Sequence, residues 1–453
     1  MQPIRVGLIG IGVVGSGTFR VLRRNQQEIQ RRAGRGIDIT MVADLDLDRA
    51  RALVGEGVEV VRDARKLIAD PNIDVVVELI GGTGIAKILV LEAIRAGKHV
   101  VTANKALLAV HGTEIFAAAS HHGVMVAFEA AVAGGIPIIK ALREGLTANR
   151  IEWVAGIING TTNYILSAMR DKRVEFAVAL EEARKLGYAE ADPTFDVEGI
   201  DAAHKASLLA SIAFGIPVQF DRAYVEGITR IGAVDVAYAE QLGYRIKLLG
   251  MTRRREADPE RGIAHGVELR VHPCLIPARR LIANVEGAMN AVMVHGDAVG
   301  TTLYYGKGAG SEPTASAVIA DLVDIARLHD ADANHRVPHL AFRPDALSNL
   351  PMLPMGQVIT GFYLRLRVAD EAGVLAQVTG ILAHAGISID AMLQREADEV
   401  DQGAVQAGQP AQTDLVLLTH ECLEASMNTA LAQMQALPTV LQPIVRIRKE
   451  ELA

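Results

Sequence analysis

Two spacings of apolar residues take turns along this chain of 453 residues. Ile4–Ile9 is a short apolar run that closes on Gly10, and residues 15–31 then carry apolar positions at helical spacing. Ile37–Ala43 is a second apolar run, and 74–80 (DVVVELI) a continuous one, as expected of a strand covered on both faces of a parallel sheet. Residues 86–96 return to helical spacing, and 99–103 and 124–132 predict further strands. Strand and helix in regular alternation predict a parallel sheet with helices on both faces. A short helix is expected over 138–145, a strand over 150–158, a helix opening at 159–163, and strands of a mixed sheet over 243–252, 263–273 and 288–295. A helix over 314–329 follows. Residues 342–357 hold three prolines and no period, so they read as a linker. Beyond it, strand 359–368, a helix reaching 385, strands 387–395 and 413–420, helix 423–437 and strand 440–447 make β-α-β-β-α-β, the ferredoxin-like plan. The connection 397–412, rich in Gly and Gln, reads as a mobile loop.

Some of the turns between these elements carry chemistry. Gly10-Ile11-Gly12-Val13-Val14-Gly15 lies between a strand and a helix, the setting in which G-x-G-x-x-G signals dinucleotide binding. Gly10 makes the tight turn, Gly12 admits a pyrophosphate to the backbone, and Gly15 lets helix pack on strand; Val13 and Val14 lie in this loop, and the N-terminus of the helix after it faces the phosphates. Asp44 ends the second strand, where an acid bonds the ribose hydroxyls of NAD. Leu45 follows rather than a cation, which favours NAD, while Arg49 and Arg20 are within sequence reach of an NADP phosphate. Gly81-Gly82-Thr83 and Asn104-Lys105 arrive at the carboxyl edge of the same sheet. Lys105 is there a candidate for catalysis or cofactor contact, or a solvated lysine at a helix start. The glycine turn 133–137 exposes backbone carbonyls. The cluster Asn159-Gly160-Thr161-Thr162-Asn163 suits either a carboxylate ligand or an elaborate helix cap. Small residues at Gly306, Gly308 and Gly310, ahead of the helix over 314–329, permit close backbone approach to the nicotinamide.

The densest chemistry lies in 183–205, ARKLGYAEADPTFDVEGIDAAHK, with Glu190, Asp192, Asp196, Asp201 and Lys205. Gly187, Pro193 and Gly199 predict a shaped loop, and an apolar helix begins at Asp201. Asp201 and Lys205 are one helical turn apart, so they are neighbours on one face. A charged pair on so apolar a helix is expected to be half buried or more, and the expectation is a site that binds and protonates a small polar substrate.

Net charge is −7 with no dense basic patch, which speaks against a nucleic-acid partner. Arg253-Arg254-Arg255 reads as a solvated turn between strands. Cys274 and Cys422 lack metal or disulfide spacing, so a reducing compartment is expected. No basic-then-apolar leader and no uncharged run of roughly 18 residues is present, so the expected setting is cytoplasmic, away from a membrane.

The pattern A-x-x-x-G-Y-A-E-A-D-P-x-x-D-V-x-G-x-D-x-x-x-K over 183–205 resembles homoserine dehydrogenases of the monofunctional kind with a C-terminal regulatory domain. Residues 10–15, Thr102-Ala103-Asn104-Lys105, 129–137 and 159–163 support it, and the resemblance spans essentially the whole chain. It implies an α/β fold in parts: a Rossmann-type dinucleotide-binding domain over 1–135 completed by helix 311–341, an α+β catalytic and dimerisation domain with a mixed sheet over 136–310, a linker over 342–358 and a ferredoxin-like ACT domain over 359–450. It implies reversible reduction of L-aspartate 4-semialdehyde to L-homoserine with NAD(P). Lys205 would be the acid/base, and Lys105 would assist or bridge to the cofactor. Two lysines near one carbonyl would depress each other's pKa, while Asp201 would hold Lys205 protonated, and the balance stays open. Glu190 and Asp201 would hold the substrate's amino end, with Asp196, Gly187 and Thr161 nearby. A monovalent cation, sodium, would sit among carbonyls of Val132, Gly134 and Ile136 and the Glu129 region. The loop D-x-x-G-V-L over 370–375 matches the ACT family's first turn and implies L-threonine as effector, a ligand-free dimerisation domain being the alternative. A homodimer or homotetramer is expected.

Two other readings are weaker. A thioester-forming aldehyde dehydrogenase needs an activated cysteine, and Cys274 in His272-Pro273-Cys274-Leu275 has no helix N-terminus ahead of it. A non-enzymatic sensor of cofactor and amino acid would have no use for Lys105 and Lys205.

Overall fold

The computed structural model describes residues 2–395 and 411–452. The expected mobile loop 397–412 falls almost entirely outside the described residues. β1 (Ile4–Ile9), β2 (Ile37–Ala43), β3 (Glu59–Val61), β4 (Val75–Glu78), β5 (His99–Thr102) and β6 (Val126–Ala127) form a six-stranded parallel sheet in the order β3-β2-β1-β4-β5-β6. Alternation of side chains explains why the strands read as unbroken apolar runs. Val75 and Val77 pack on one face, with Ile4, Val6, Leu8 and the helix Ser311–Leu328, whereas Val76 and Val100 pack on the other.

The second sheet is mixed. β7 (Ile151–Ile157), β9 (Tyr244–Arg255), β10 (Gly266–Pro277), β11 (Met289–Gly296) and β12 (Gly300–Lys307) run in the order β12-β11-β7-β9-β10, with the two-residue strand β8 (Tyr224–Val225) also on β10. The C-terminal β-α-β-β-α-β unit follows: β13 (Ile359–Ala369), helix Val374–His384, β14 (Ile389–Gln394), β15 (Gln412–Thr419), an added two-residue strand β16 (Cys422–Leu423) paired to β13, helix Glu424–Gln435 and β17 (Val445–Lys449). Its last strand lies parallel to β10 through Cys274–Arg448 and Leu275–Lys449, so a single 11-stranded sheet continues across both units.

That seam is electrostatic as well as hydrogen-bonded. Arg270 is 1% exposed and donates to Glu268 at 3.1 Å and to Glu450 at 2.6 Å. Arg448, also 1% exposed, reaches Glu424 at 2.6 Å and Glu226 at 2.9 Å. A second buried set, Asp235 with Tyr363 and Arg365, pins the β13 face to the helix Ala233–Gln241. Buried ions of this kind hold only while each has its partner.

Several local expectations change. The strand expected over 124–132 shrinks to β6 followed by a 3-10 turn, Glu129–Ala131, because the buried Glu129 carboxylate turns to accept from Ile139 N and Lys140 N. The helix expected over 15–31 breaks at Asn25 into Val13–Arg24 and Gln26–Ala33, a residue whose side chain competes with helical backbone. The helix over 138–145 is Ile138–Lys140 running into a π-helical turn, Ala141–Gly145. The helix placed over 311–341 ends at Leu328. Arg253, Arg254 and Arg255 are not in a solvated turn: they extend β9, partly buried, opposite Glu268, Val267 and Gly266. β12 was not foreseen, since its edge position leaves a mixed apolar and polar pattern. The linker is irregular but seated, with Val267 N bonded to Pro351 O, Leu353 N to Val267 O and Ser348 N to Gly215 O. Among the described residues no helix is long and apolar enough to cross a membrane.

Glu450→Ala leaves Arg270 buried with one partner fewer. Chemical denaturation is expected to show a loss of ~3 kcal/mol, and a loss within experimental error would mean the seam does not depend on this ion.

Candidate active site

Three elements converge on one carboxylate. The helix Ile200–Phe214 begins after Gly199, whose φ of 82° lets the chain turn sharply into it, and carries Asp201 in its first turn. Lys205, one turn on, donates to Asp201 Oδ2 at 2.7 Å and to the Ile158 carbonyl at the end of β7, also at 2.7 Å. Lys105 opens the helix that follows β5 and brings its Nζ to 3.2 Å from Asp201 Oδ1. The site therefore lies where the carboxyl edge of the parallel sheet meets the mixed sheet. Asp201 is 6% exposed and the Lys205 side chain 12%, while Lys105 remains 39% exposed and faces the open side.

The electrostatics follow from this packing. Burial pushes the Asp201 carboxyl up, but the two ammonium groups and hydrogen bonds from Lys205 and Asn159 outweigh it and hold the group below the usual carboxylate range. Asp196 moves the other way. Its burial, with Asp201 nearby, raises it despite the Asn159 hydrogen bond.

Asn159 is the residue that sequence reasoning undervalued. As N-cap of the helix Gly160–Lys172 its Oδ1 accepts from Thr162 N at 2.9 Å, and its Nδ2 donates to Asp196 at 2.6 Å and Asp201 at 2.8 Å. The two meanings of the polar cluster are thus one: the cap's spare amide organises the acids. His204, on the same helix as Asp201, was also passed over. It is buried, edge-on to Phe220 at 4.3 Å, and burial lowers it to about 4.

The other candidates are placed less centrally. Thr161 spends its hydroxyl on the Tyr188 carbonyl at 2.6 Å, tying down the loop. Gly187 takes φ of 75° and is exposed, as are Glu190 and Asp192; Asp192 bonds Thr194. The stretch 183–205 is not all loop, since Phe176–Lys185 ends inside it and Thr194–Val197 forms a short helical turn.

On the dinucleotide side, Gly10 takes φ of 93°, and a Cβ on Gly15 would sit 2.1 Å from the Gly10 carbonyl, so that position admits only glycine. A Cβ on Gly12 would meet open space, at the N-cap of the helix Val13–Arg24. Asp44 Oδ2 accepts from Ile11 N at 2.7 Å, closing the loop. A cavity of 530 Å³ lies there, lined by Gly10, Gly12, Asp44, Arg49 and Arg62 among others. Arg20 does not line it; it turns to Ser16. Ser311 Oγ donates to the Val13 carbonyl at 2.8 Å, so Gly310, the N-cap of the helix Ser311–Leu328, returns to this loop. Gly308 lies against the glycine turn, where a Cβ on Gly134 would come within 2.5 Å of its carbonyl.

In that turn Ala133 and Gly134 have φ of 55° and 42°, which curls the backbone between Val132 and Ile136. Glu129 gives both carboxylate oxygens to backbone N–H groups, and burial raises it to about 7. Cys274 is buried on β10 with its thiol pushed well up by burial, which removes it as a nucleophile.

Known proteins match along the same frame. Residues 10–129 match the family described as homoserine dehydrogenase, NAD binding domain, residues 137–323 match homoserine dehydrogenase, and residues 362–420 match the ACT domain. A homoserine dehydrogenase of Pseudomonas aeruginosa is 58% identical over 453 residues, covering 100% of both chains. The chain belongs to the homoserine dehydrogenase family. A relative from Neisseria gonorrhoeae is 53% identical, again over 100% of each chain. The crystal structure of a homoserine dehydrogenase from Thiobacillus denitrificans aligns with a TM-score of 0.92 at 61% identity, covering 100% of this chain and 99% of that one. That of S. aureus aligns at 0.73 and 30%, covering 99% of each. As a homoserine dehydrogenase, the chain is an NAD(P)-dependent oxidoreductase.

His204 has a measurable signature. It is neutral when folded down to about pH 4, whereas a free imidazole protonates near 6.5. Unfolding therefore takes up a proton in that window, and the stability due to this group is present above it and lost as pH falls through it. His204→Gln is expected to flatten the stability curve by up to ~1.4 kcal/mol per pH unit between those values. An unchanged slope in urea denaturation across that range would refute the assignment.

Proposed function

We propose that the chain catalyses the reversible reduction of L-aspartate 4-semialdehyde to L-homoserine, with Lys205 exchanging the proton on the substrate oxygen. The observation that carries this is the pair Lys205 and Lys105 on one buried carboxylate, Asp201, at the carboxyl edge of the dinucleotide-binding sheet. Bound NAD(P) would supply or accept hydride at the carbon. The chain's own task is the oxygen. As carbonyl becomes alkoxide, Lys205 Nζ gives up a proton to it; in the oxidation direction it takes that proton back. Asp201 and the Ile158 carbonyl fix the direction of Nζ, and Lys105 supplies a second positive charge where negative charge develops.

Asp201 already receives Lys205, Asn159 and Lys105, which leaves about one of its roughly four acceptor positions for a substrate ammonium. The exposed Glu190 is then the main anchor for that end, with Asp196 a second candidate, and Thr161 and Gly187 shape the loop. Phosphates would meet the helix start at Gly12 to Val14, packed by Gly10 and Gly15, with Gly308 and Gly310 on the nicotinamide side. Asp44 suits the ribose of NAD, while Arg49 and Arg62 in the same cavity suit the extra phosphate of NADP.

A monovalent cation, sodium, is proposed within the curled turn, ligated by carbonyls of Val132, Gly134 and Ile136 beside Glu129, with a structural role. The ACT match and the turn before the helix Val374–His384, with Gly373 at φ of 95°, support L-threonine as effector of a homodimer or homotetramer.

An assay with L-homoserine, run with NAD and with NADP, with and without L-threonine, and with sodium replaced by tetramethylammonium, tests these statements together. Turnover with homoserine is expected, threonine lowering it and sodium removal destabilising the protein. Lys205→Ala is expected to cost ~10²- to 10⁴-fold in kcat with cofactor affinity nearly unchanged. Unaltered turnover would remove Lys205 as acid/base.

A further inference from the structure

We infer that Glu78 is a positioning residue for this reaction, holding Lys105 and the Gly81-Gly82 turn in place through Thr102 and Asn104. The inference rests on the role proposed for Lys105.

Glu78 ends β4 and is 0% exposed. Its partners are hydrogen-bond donors and, among the described residues, no cation. Oε1 accepts from Ile80 N at 3.0 Å and Gly81 N at 3.1 Å, and Oε2 accepts from the Thr102 hydroxyl at 2.7 Å. A buried carboxylate without a counter-ion is costly, and a strand of valines would fold without one. What it achieves is local. Gly81 and Gly82 follow it with φ of 73° and 74°, a pair of left-handed residues that its Oε1 holds at the entrance to the turn.

The second arm runs through the neighbouring strand. Thr102 lies directly opposite Glu78 in the parallel register and is also fully buried. With its hydrogen committed to Glu78, the Thr102 oxygen accepts from Asn104 N at 3.0 Å. Asn104 in turn caps the helix by accepting from Leu107 N at 3.1 Å, and its Nδ2 donates to the Gly82 carbonyl at 2.7 Å. Glu78, Thr102, Asn104 and the Gly81-Gly82 turn thus form a closed ring of hydrogen bonds. Lys105 is the next residue of that ring's backbone, and its Nζ must span the cleft to Asp201. None of the ring side chains is hydrogen-bonded to Asp201 or Lys205, so the effect on turnover passes through Lys105, whose place the turn helps to fix. Small displacements of a reacting group are costly in rate, which makes a rigid base for Lys105 worth a buried charge.

Thr102→Val removes the hydroxyl at constant shape, and Glu78→Gln removes the charge. Each is expected to lower kcat by on the order of ten- to a hundredfold, with the KM for homoserine changed much less and the folded protein retained. Thr102→Ser keeps the hydroxyl and is expected to recover most of the loss. In a Lys105→Met background, Thr102→Val should cost little further. An equal loss in both backgrounds would overturn the inference while leaving Lys105 as proposed. Full turnover in Thr102→Val and Glu78→Gln would overturn it as well. If Lys105→Met alone leaves kcat unchanged, the reading of Lys105 fails first, and the inference falls with it.

Discussion

The Asp201 carboxylate is the constraint on which the site depends. It is nearly out of solvent, and groups from three elements meet it: Lys205 on its own helix and Asn159 at the end of β7 donate hydrogen bonds, and Lys105 beyond β5 forms an ion pair. A buried charge is tolerable only when paired and hydrogen-bonded. The demand is mutual, because Lys205 is itself largely buried and has Asp201 as its anion. Meeting it requires that the parallel sheet, the mixed sheet and the helix Ile200–Phe214 stand at a particular separation. The same interaction therefore fixes how the dinucleotide-binding sheet meets the mixed sheet.

Buried ions recur wherever two layers join. Arg270 with Glu450, Arg448 (itself held by Glu424) with Glu226, and Arg365 with Asp235 fasten the C-terminal unit to the rest of the chain. Apolar packing alone is permissive about register, whereas each guanidinium fork accepts a carboxylate in few arrangements. Glu226 sits in a segment whose Ile228 N bonds the Val197 carbonyl, just ahead of the helix Ile200–Phe214. The C-terminal strand and the turn that leads into this helix are in this way parts of one bonded frame.

Much of this was legible from residue order. Strand β4 reads as buried on both faces because Val75 and Val77 serve one core and Val76 the other. The glycine loop reads correctly because Gly15 has no room for a side chain. Errors arose where a side chain far away in sequence takes over local structure. Glu129 ends β6 early by capping the helix at Ile138, and Arg253 to Arg255 lie within β9 because Glu268 lies across from them. Asn159 could have been ranked higher from sequence, since an N-cap amide has a donor left after its oxygen caps the helix. What could not be known is that both acids would be within its reach.

The sequence by itself determined most of the element types, the family, and the chemical inventory of lysines, acids and glycines, because these depend on spacing within one strand, turn or helix. Asp201 next to Lys205 follows from helical geometry alone. Only the tertiary structure decided which distant groups share a charge: Lys105 on the other oxygen of Asp201, Asn159 between Asp196 and Asp201, and β17 alongside β10. Those choices are made by burial. Removing a charge from water forces it to find a partner wherever the packing supplies one, and that partner can be anywhere in the chain.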